Sequence, residues 1–326
     1  MKALVTGGTG FIGSHLIARL RKEGFEVRCL AKDPLNKTYL EALGVEVVLG
    51  DLNQEMPWDE LLGDVDIIYH LAGVTRAKVM RDYFIANHEA TRRFIKICVE
   101  RCAHLKRFVY VSSQTVAGPR LSEQEITETT PCHPISHYGK SKRMAEMEVL
   151  AFRDALPITI VRPSAVYGPR DRDFLEYHKI IRSRIKPILG FGKKYLNLVH
   201  VDDLINGIFL ASMSSAAVGE IFFIGSERNY QMREVCDAIA RAHDVHPFSI
   251  VIPKSMLYAI GAIAGFIGKV TNRQTLFNLQ KAREASQKAW TCSVEKAMRL
   301  LGYNETIPLA DGIAQTYAWY RENGWM

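Results

Sequence analysis

Tyr138 and Lys142 stand four residues apart, one turn of a helix, so they share a face. A free tyrosine titrates near ~10 and is a poor base at neutral pH; an ammonium beside it favours the phenolate and lowers that value. Such a pair can pass a proton to or from an alcohol or ketone oxygen. The spacing also arises by chance between surface residues, so its weight depends on its company. Ser112 and Ser113 end an apolar run, where a hydroxyl can hydrogen-bond a reacting oxygen or simply cap a turn. Near the start of the chain, Gly7, Gly10 and Gly13 recur every third residue between an apolar run and a helical one. Gly7 lets the chain turn, Gly10 leaves no side chain between backbone and a pyrophosphate, and Gly13 lets the helix pack on a sheet. The turn through Phe11 and Ile12 leads into a helix N-terminus, which offers free N–H groups and a partial positive charge to phosphates.

The elements that must hold these residues alternate. Strands are expected at residues 25–31, 45–49, 65–70, 107–112 and 158–162, with long helices at 83–102 and 137–155. This is an α/β pattern: a doubly wound parallel sheet with helices on both faces and its ligand at the C-terminal edge of the strands. After Pro163 the rhythm changes. A helix is expected at 174–184, a strand at 196–201, a helix at 202–212 and a strand at 220–224; from Tyr230 onward the chain reads as mostly helical. The expected organisation is a nucleotide-binding domain over 1–165, with 201–226 returning to the sheet. Residues 166–200 and 227–326 then form a smaller, mostly helical substrate lobe.

Residues 255–267 are uncharged and mostly apolar, with Lys254 before them and Lys269 just beyond. The run is shorter than the ~20 residues that span a bilayer. A buried helix of the substrate lobe is the favoured expectation. A helix in weak peripheral contact with a membrane and a pocket wall for a lipophilic substrate are the alternatives.

The 326 residues are 48% hydrophobic, enough for a substantial core. The net charge of +7 suits an anionic cofactor or surface. The cations are spread along the chain with no recognisable nucleic-acid module, so no nucleic-acid partner is expected. None of the six cysteines forms a CxxC pair or a zinc spacing, which fits a reduced, cytoplasmic protein. No signal peptide is expected, because the first strand begins at residue 2 or 3. Cys98 and Cys102 read as two buried thiols on one helix. His200, Asp202 and Asp203 look like a metal cluster on paper.

The ordered set of TGGTGFIG, Gly50-Asp51-Leu52, His70-Leu71-Ala72-Gly73, Val111-Ser112-Ser113, Tyr138 to Lys142, Arg162-Pro163-Ser164-Ala165-Val166-Tyr167-Gly168-Pro169 and Val199-His200-Val201-Asp202-Asp203 resembles the extended short-chain dehydrogenase/reductase family, also called the NAD-dependent epimerase/dehydratase family. The resemblance covers nearly the whole chain and implies a Rossmann-type sheet. It implies Ser113, rather than Ser112, with Tyr138 and Lys142 as the catalytic triad. It further implies that Asp51 and Leu52 meet the adenine, that Leu71, Ala72, Gly73 and Val111 run along the cofactor, and that Asn87 steadies the site. Lys142 would also hold the nicotinamide ribose, with Pro163 and Val166 flanking the nicotinamide. In the family the His-Val-Asp-Asp stretch is structural support, so no metal is expected. Members often dimerise through a four-helix bundle, for which the helices at 83–102 and 137–155 would serve, so a homodimer is expected.

A carboxylate at the end of the second strand selects NAD, whereas a cation there accommodates the 2′-phosphate of NADP. Here Ala31 stands where NAD-preferring members usually carry Asp, Arg28 and Lys32 are available cations, and Asp33 follows close by. NADP is therefore the expected cofactor, with NAD the alternative. The Asp-Glu pair of sugar dehydratases is replaced by Gln114-Thr115, the glutamate of decarboxylating members is missing, and Ala165 replaces the Asn of many nucleotide-sugar members. The remaining look is that of dihydroflavonol reductase and 3β-hydroxysteroid dehydrogenase relatives. The expected activity is hydride transfer between nicotinamide and a ketone or secondary alcohol of a small molecule, with sugar, steroid-like, polyketide-like and lipid substrates all open. A nucleotide-sugar epimerase with tightly held NAD is the runner-up, and a non-catalytic nucleotide-sensing subunit ranks last because Tyr138 and Lys142 are both present. Arg170, Asp171 and Arg172 read as a mobile substrate loop or a solvated turn, and Tyr317, Trp319, Tyr320 and Trp325 as a helix face plus tail.

Overall fold

The computed structural model describes residues 1–32, 37–271 and 277–326; Asp33 lies outside them. The first half alternates β1 (Lys2–Thr6), α1 (Phe11–Lys22), β2 (Glu26–Ala31), α2 (Lys37–Ala42), β3 (Glu46–Leu49), α3 (Trp58–Leu62) and β4 (Ile67–His70). Then come α4 (Met80–Tyr83), a π-helical turn (Phe84–Glu89), α5 (Ala90–Arg101), β5 (Arg107–Val111), α6 (His137–Leu150) and β6 (Ile158–Pro163). The second half runs β7 (Ala165–Tyr167), α7 (Arg172–Arg182), β8 (Ile185–Leu189), β9 (Tyr195–Leu196), β10 (Leu198–His200), α8 (Val201–Met213), β11 (Ile221–Ile224), β12 (Tyr230–Gln231) and α9 (Met232–Ala242). It ends with β13 (Phe248–Ile252), α10 (Lys254–Val270), α11 (Leu279–Ala285), β14 (Ala289–Trp290), α12 (Glu295–Leu301) and α13 (Leu309–Glu322).

Seven strands form one parallel sheet in the order β11-β6-β5-β4-β1-β2-β3. The order reverses between β1 and β4, and the crevice beyond their C-terminal ends is where such sheets bind ligands. The central strands are buried on both faces and read as continuous apolar runs, because helices cover both sides. Leu16, Ile17 and Leu20 of α1 join Leu204, Ile205 and Ile208 of α8 on one face. Leu61 of α3, Phe94 and Ile95 of α5, and Ala145 and Val149 of α6 cover the other. Each of these side chains except Ala145 contributes about 1.5–3 kcal/mol by leaving water.

Four differences from the sequence reading are physical. The helix expected at 83–102 is interrupted by the π turn, and the one expected at 137–155 stops at Leu150. Strands β8 and β13 were missed and pair with each other, from Phe248 with Ile185 to Ile252 with Leu189. The apolar run at 255–267 is not buried: α10 turns Leu257 and Gly261 inward and leaves Met256, Ile260, Ile263, Phe266, Ile267 and Val270 exposed. The expected strand at 196–201 is split in two by Asn197, whose buried side chain bonds the backbone of Ser226 on both sides.

Candidate active site

The glycine turn joins β1 to α1. Gly7 adopts φ +75°, and a Cβ there would lie 2.7 Å from the Ala72 nitrogen. A Cβ on Gly13 would lie 2.2 Å from the Gly7 carbonyl oxygen, so neither position admits a side chain. Gly10 caps α1 without a side chain, so nothing of the protein's own competes for the first-turn amides, which have no intrahelical acceptor. Gly7, Gly10, Phe11, Ile12 and Gly13 line a cleft of about 990 Å³. Across it stand Leu71, Gly73, Asn87, Val111, Ser113, Tyr138, Lys142, Pro163 and Val166. Ser112 and Ser164 also line it, and their buried hydroxyls find no partner among the described residues. An anion-binding helix terminus, a cradle that a Cβ would fill and two unpaired hydroxyls fit a dinucleotide cofactor.

The strand β5 delivers Ser112 and Ser113 to the cleft, and α6, capped by the Ser136 hydroxyl on the Gly139 amide, delivers Tyr138 and Lys142. Ser113 Oγ accepts from the Thr115 amide at 3.2 Å and the Thr115 hydroxyl at 2.9 Å. With both acceptor positions used, its own proton is free to turn toward Tyr138. Burial pushes the Tyr138 phenol up, more than the Ser113 hydrogen bond and the charge of Lys281 bring it down. Burial also holds the Lys142 ammonium down to about 7, against the attraction of Glu146. Lys142 Nζ donates to the Val111 carbonyl at 2.8 Å and lies 4.3 Å from the centre of the Tyr110 ring. The expected depression of Tyr138 by Lys142 is therefore corrected: desolvation of the phenol dominates, and one donor of the lysine goes to the end of β5.

Behind these residues runs a buried chain that joins Asn87, expected to steady the site, to Thr6, His70, Thr91 and Ser141, for which no role was expected. His70 accepts on Nδ1 from the Thr6 hydroxyl at 2.7 Å, and Thr6 Oγ1 accepts the Ala72 amide. Thr91 gives its proton to the Asn87 carbonyl, so it accepts from His70 Nε2 at 2.9 Å. Burial, then the charge of Lys142, hold His70 down to about 3, so it is a neutral connector. Asn87, in the π turn, accepts from the Val74 amide and donates to the Val74 carbonyl and Ser141 Oγ. Ser141 in turn bonds the Tyr138 carbonyl. The chain locks β1, β4, the π turn and α6 into one frame around the cleft.

The other end of the cofactor region changes two expectations. Arg28 is buried, and its guanidinium donates to Glu46, Asp64 and the carbonyls of Glu60 and Leu61. It is not an available cation, because neighbouring strands and α3 satisfy it. Ala72 packs toward the core on the α5 side, and Leu71 and Gly73 border the cleft instead. Lys32 is exposed beyond β2 and pairs with Asp51 at 2.7 Å. Burial pushes the Asp51 carboxyl up, but the bonds from Lys32 and Asn53 outweigh it and hold it below the ordinary range. Leu52 is buried in the core, which leaves its backbone for any adenine contact.

The far wall is Arg170, Asp171, Arg172, Asp173 and Trp325. This segment is anchored at Asp171, while Arg172 and Asp173 stay exposed. Asp171 caps α7 and is buried, its carbonyl accepts the Tyr320 hydroxyl at 2.5 Å, and Arg172 lies over Trp325. Burial lifts the Asp171 carboxyl to about 7 against the Phe174 amide and the charge of Arg76, and Arg76 itself pairs with Asp173. On the remaining side, the Tyr83 ring stands 6.4 Å from Tyr138, and Gln280 of α11 accepts the His137 amide at 2.7 Å. Arg76, Lys281 and Trp325 carry no local motif and only tertiary structure brings them here. No cluster of three or more metal-ligating side chains occurs among the described residues.

Residues 3–225 match the model of the NAD dependent epimerase/dehydratase family. The chain is 30% identical over 325 residues to a ceramide reductase of Caulobacter vibrioides, spanning 99% of this chain and 95% of that one. It is 27% identical to a decarboxylating sterol-4-alpha-carboxylate 3-dehydrogenase of Dictyostelium discoideum, spanning 95% and 98%. Among solved structures, the complex of MoeE5 with UDP-glucuronic acid and NAD superposes with a TM-score of 0.78 at 25% identity, covering 99% and 100% of the two chains.

Proposed function

The chain belongs to the NAD dependent epimerase/dehydratase family of nicotinamide-dependent enzymes, and from that premise we propose that it is a reductase of a ketone on a lipophilic substrate, using NADPH. One observation carries the choice of reaction. The two positions after Ser113 hold Gln114 and Thr115, so no carboxylate stands there for elimination or decarboxylation, and the Thr115 hydroxyl instead holds Ser113 in place. Two relatives act, by name, on a ceramide and a sterol, which supports a lipophilic substrate.

When bound, the nicotinamide supplies hydride to a carbonyl carbon, or takes it back from the alcohol. Tyr138 gives its phenolic proton to the carbonyl oxygen, and a phenol kept neutral by burial is in the correct state to donate. Ser113 orients that oxygen with the one proton it has not committed. Lys142 spends one donor on Val111 and keeps two for ribose hydroxyls. The preference for NADPH rests on Ala31, which offers no carboxylate at the end of β2, and on Lys32, the exposed cation beside it.

The test follows NADPH oxidation by the purified protein with long-chain keto amides and sterol ketones. Turnover with these, faster with NADPH than with NADH, is the expected result. Stoichiometric NAD released on denaturation, with turnover of nucleotide sugars and none of lipophilic ketones, would replace this reading with epimerisation.

A further inference from the structure

We propose that α10 and the adjoining loop at residues 190–194 dock on the surface of a bilayer containing anionic lipid, with α10 lying in the plane of the interface. The inward face of the helix is narrow. Leu257 and Gly261 are buried, and Gly261 comes so close to α11 that a Cβ there would lie 2.9 Å from the Asn278 carbonyl oxygen and 3.0 Å from Ala282. Most of its large residues face out. Met256, Ile260, Ile263, Ile267 and Val270 follow one another by four, three, four and three residues, which is a single stripe at the helical period, with Phe266 beside it. Ile263 is 61% exposed, Phe266 68% and Val270 69%.

The surface continues past the start of the helix. The Gly190 amide bonds the Ile252 carbonyl at 2.7 Å, and a Cβ on Gly190 would lie 3.7 Å from the Lys254 side chain, so the 190–194 loop sits against the entry to α10. Phe191 projects from this loop with 83% of its surface exposed, between Gly190 and Gly192, both at positive φ. The strand leading into α10 adds Phe248, Ile250 and Val251, all exposed. Apolar area of this kind, gathered on adjoining elements, marks an interaction surface.

Charge identifies the occupant. In sequence, the stretches 177–201 and 245–283, from which the loop, the strand and α10 are drawn, hold eleven Lys and Arg and no Asp or Glu. The rest of the chain holds 31 cations against 35 anions, so the basic excess of the protein resides in these two stretches. Some of these cations are paired from outside, as Lys186 is with Asp237, while Arg184 beside the start of β13, Lys193 in the loop and Lys254 at the start of α10 are exposed. A second copy joined through the same face would set these cations against their own counterparts, since a two-fold contact brings like patches together. A bilayer with anionic headgroups meets both properties at once: acyl chains for the stripe and negative charge for its rim. No helix among the described residues is long and apolar enough to cross a membrane, and α10 at 17 residues is about 25 Å long, suited to lying in the interface.

The full chain is floated with vesicles of phosphatidylcholine alone and of phosphatidylcholine with phosphatidylglycerol. Binding to the anionic vesicles, weakened by added salt, is expected. The pair Ile263→Glu with Phe266→Glu should cut that binding by about ten-fold or more, because two carboxylates replace the inserted stripe. Lys193→Glu with Lys254→Glu should cut it on anionic vesicles as well. Cofactor titration and the melting curve, unchanged in both pairs, show that the fold is intact. Undiminished binding by the variants, no binding by the parent chain, or conversion of a parent dimer to monomers by Ile263→Glu with Phe266→Glu would each overturn the proposal; the last would assign the face to a second copy. The readout is vesicle binding, independent of whether the substrate is a ketone.

Discussion

Helices α6 and α10 break the same rule in opposite directions. Helix α6 buries its polar residues: Ser141, Lys142 and Glu146 are inside, Arg162 meets Glu146 there at 2.7 Å, and Met144 and Met147 face out. Helix α10 exposes most of its large apolar residues and turns only Leu257 and the small Gly261 and Gly268 fully inward. A buried charge costs several kcal/mol unless paired, and an exposed apolar stripe forgoes the gain of leaving water. Neither arrangement serves the stability of the isolated chain. On the readings proposed above, inward polarity places chemistry, outward apolarity places a partner, and the direction of the violation distinguishes the two.

The comparison can be broken most sharply at Tyr138. Tyr138→Phe should lower turnover by about 10³-fold with cofactor affinity and melting temperature nearly unchanged, since only the transferred proton is lost. Ile260→Ser on α10 should leave turnover of a water-soluble ketone within about two-fold, because the stripe does no proton chemistry. Equal losses in both would dissolve the distinction.

Stability sharpens it next. The Lys142 ammonium falls from 10.5 to about 7 in the fold, so between those values the unfolded chain binds more protons and stability rises with pH. Lys142→Met removes that penalty. The cofactor-free variant should melt several degrees higher than the parent at pH 7, with a smaller gain near pH 10, and should bind cofactor less well. Asp171 has the opposite sign. Its carboxyl rises from 3.8 to about 7, so stability falls as pH rises through that window. Asp171→Asn keeps an oxygen for the Asp173 amide and should gain more stability at pH 8 than at pH 5 in thermal melts. The smallest effect belongs outside both helices. Lys32→Ala should weaken NADPH by about five-fold, as an exposed ion contact would, and leave NADH binding and vesicle binding as they were.

The glycine turn, the strand alternation and the Tyr138–Lys142 pair were legible because each is written in a short window where local geometry decides. Arg28 was misread because its fate depends on Glu46 and Asp64, which only the sheet order brings alongside. Strand β8 contains Pro187 and pairs with a segment about sixty residues away, so neither propensity nor turn chemistry announced it. For α10 the period was plain, but a period says that a helix has two faces and not which one meets water. Trp325 reaches the cleft through a stack on Tyr320, a contact with no sequence signature near the glycine turn.

The π turn at Phe84–Glu89 amounts to one residue inserted into an otherwise continuous α-helix. Each added residue turns everything before it by about 100° around the axis relative to everything after. The helix therefore keeps two phases: Asn87 and Thr91 are set for the network behind the cleft, and Tyr83 is set for the side that faces Tyr138. Removing a single residue between Tyr83 and Asn87 would leave the network's hydrogen bonds in reach and swing Tyr83 away from Tyr138. Length variation at this one spot is thus a way for descendants of this chain to change what the pocket accepts without rebuilding the machinery behind it.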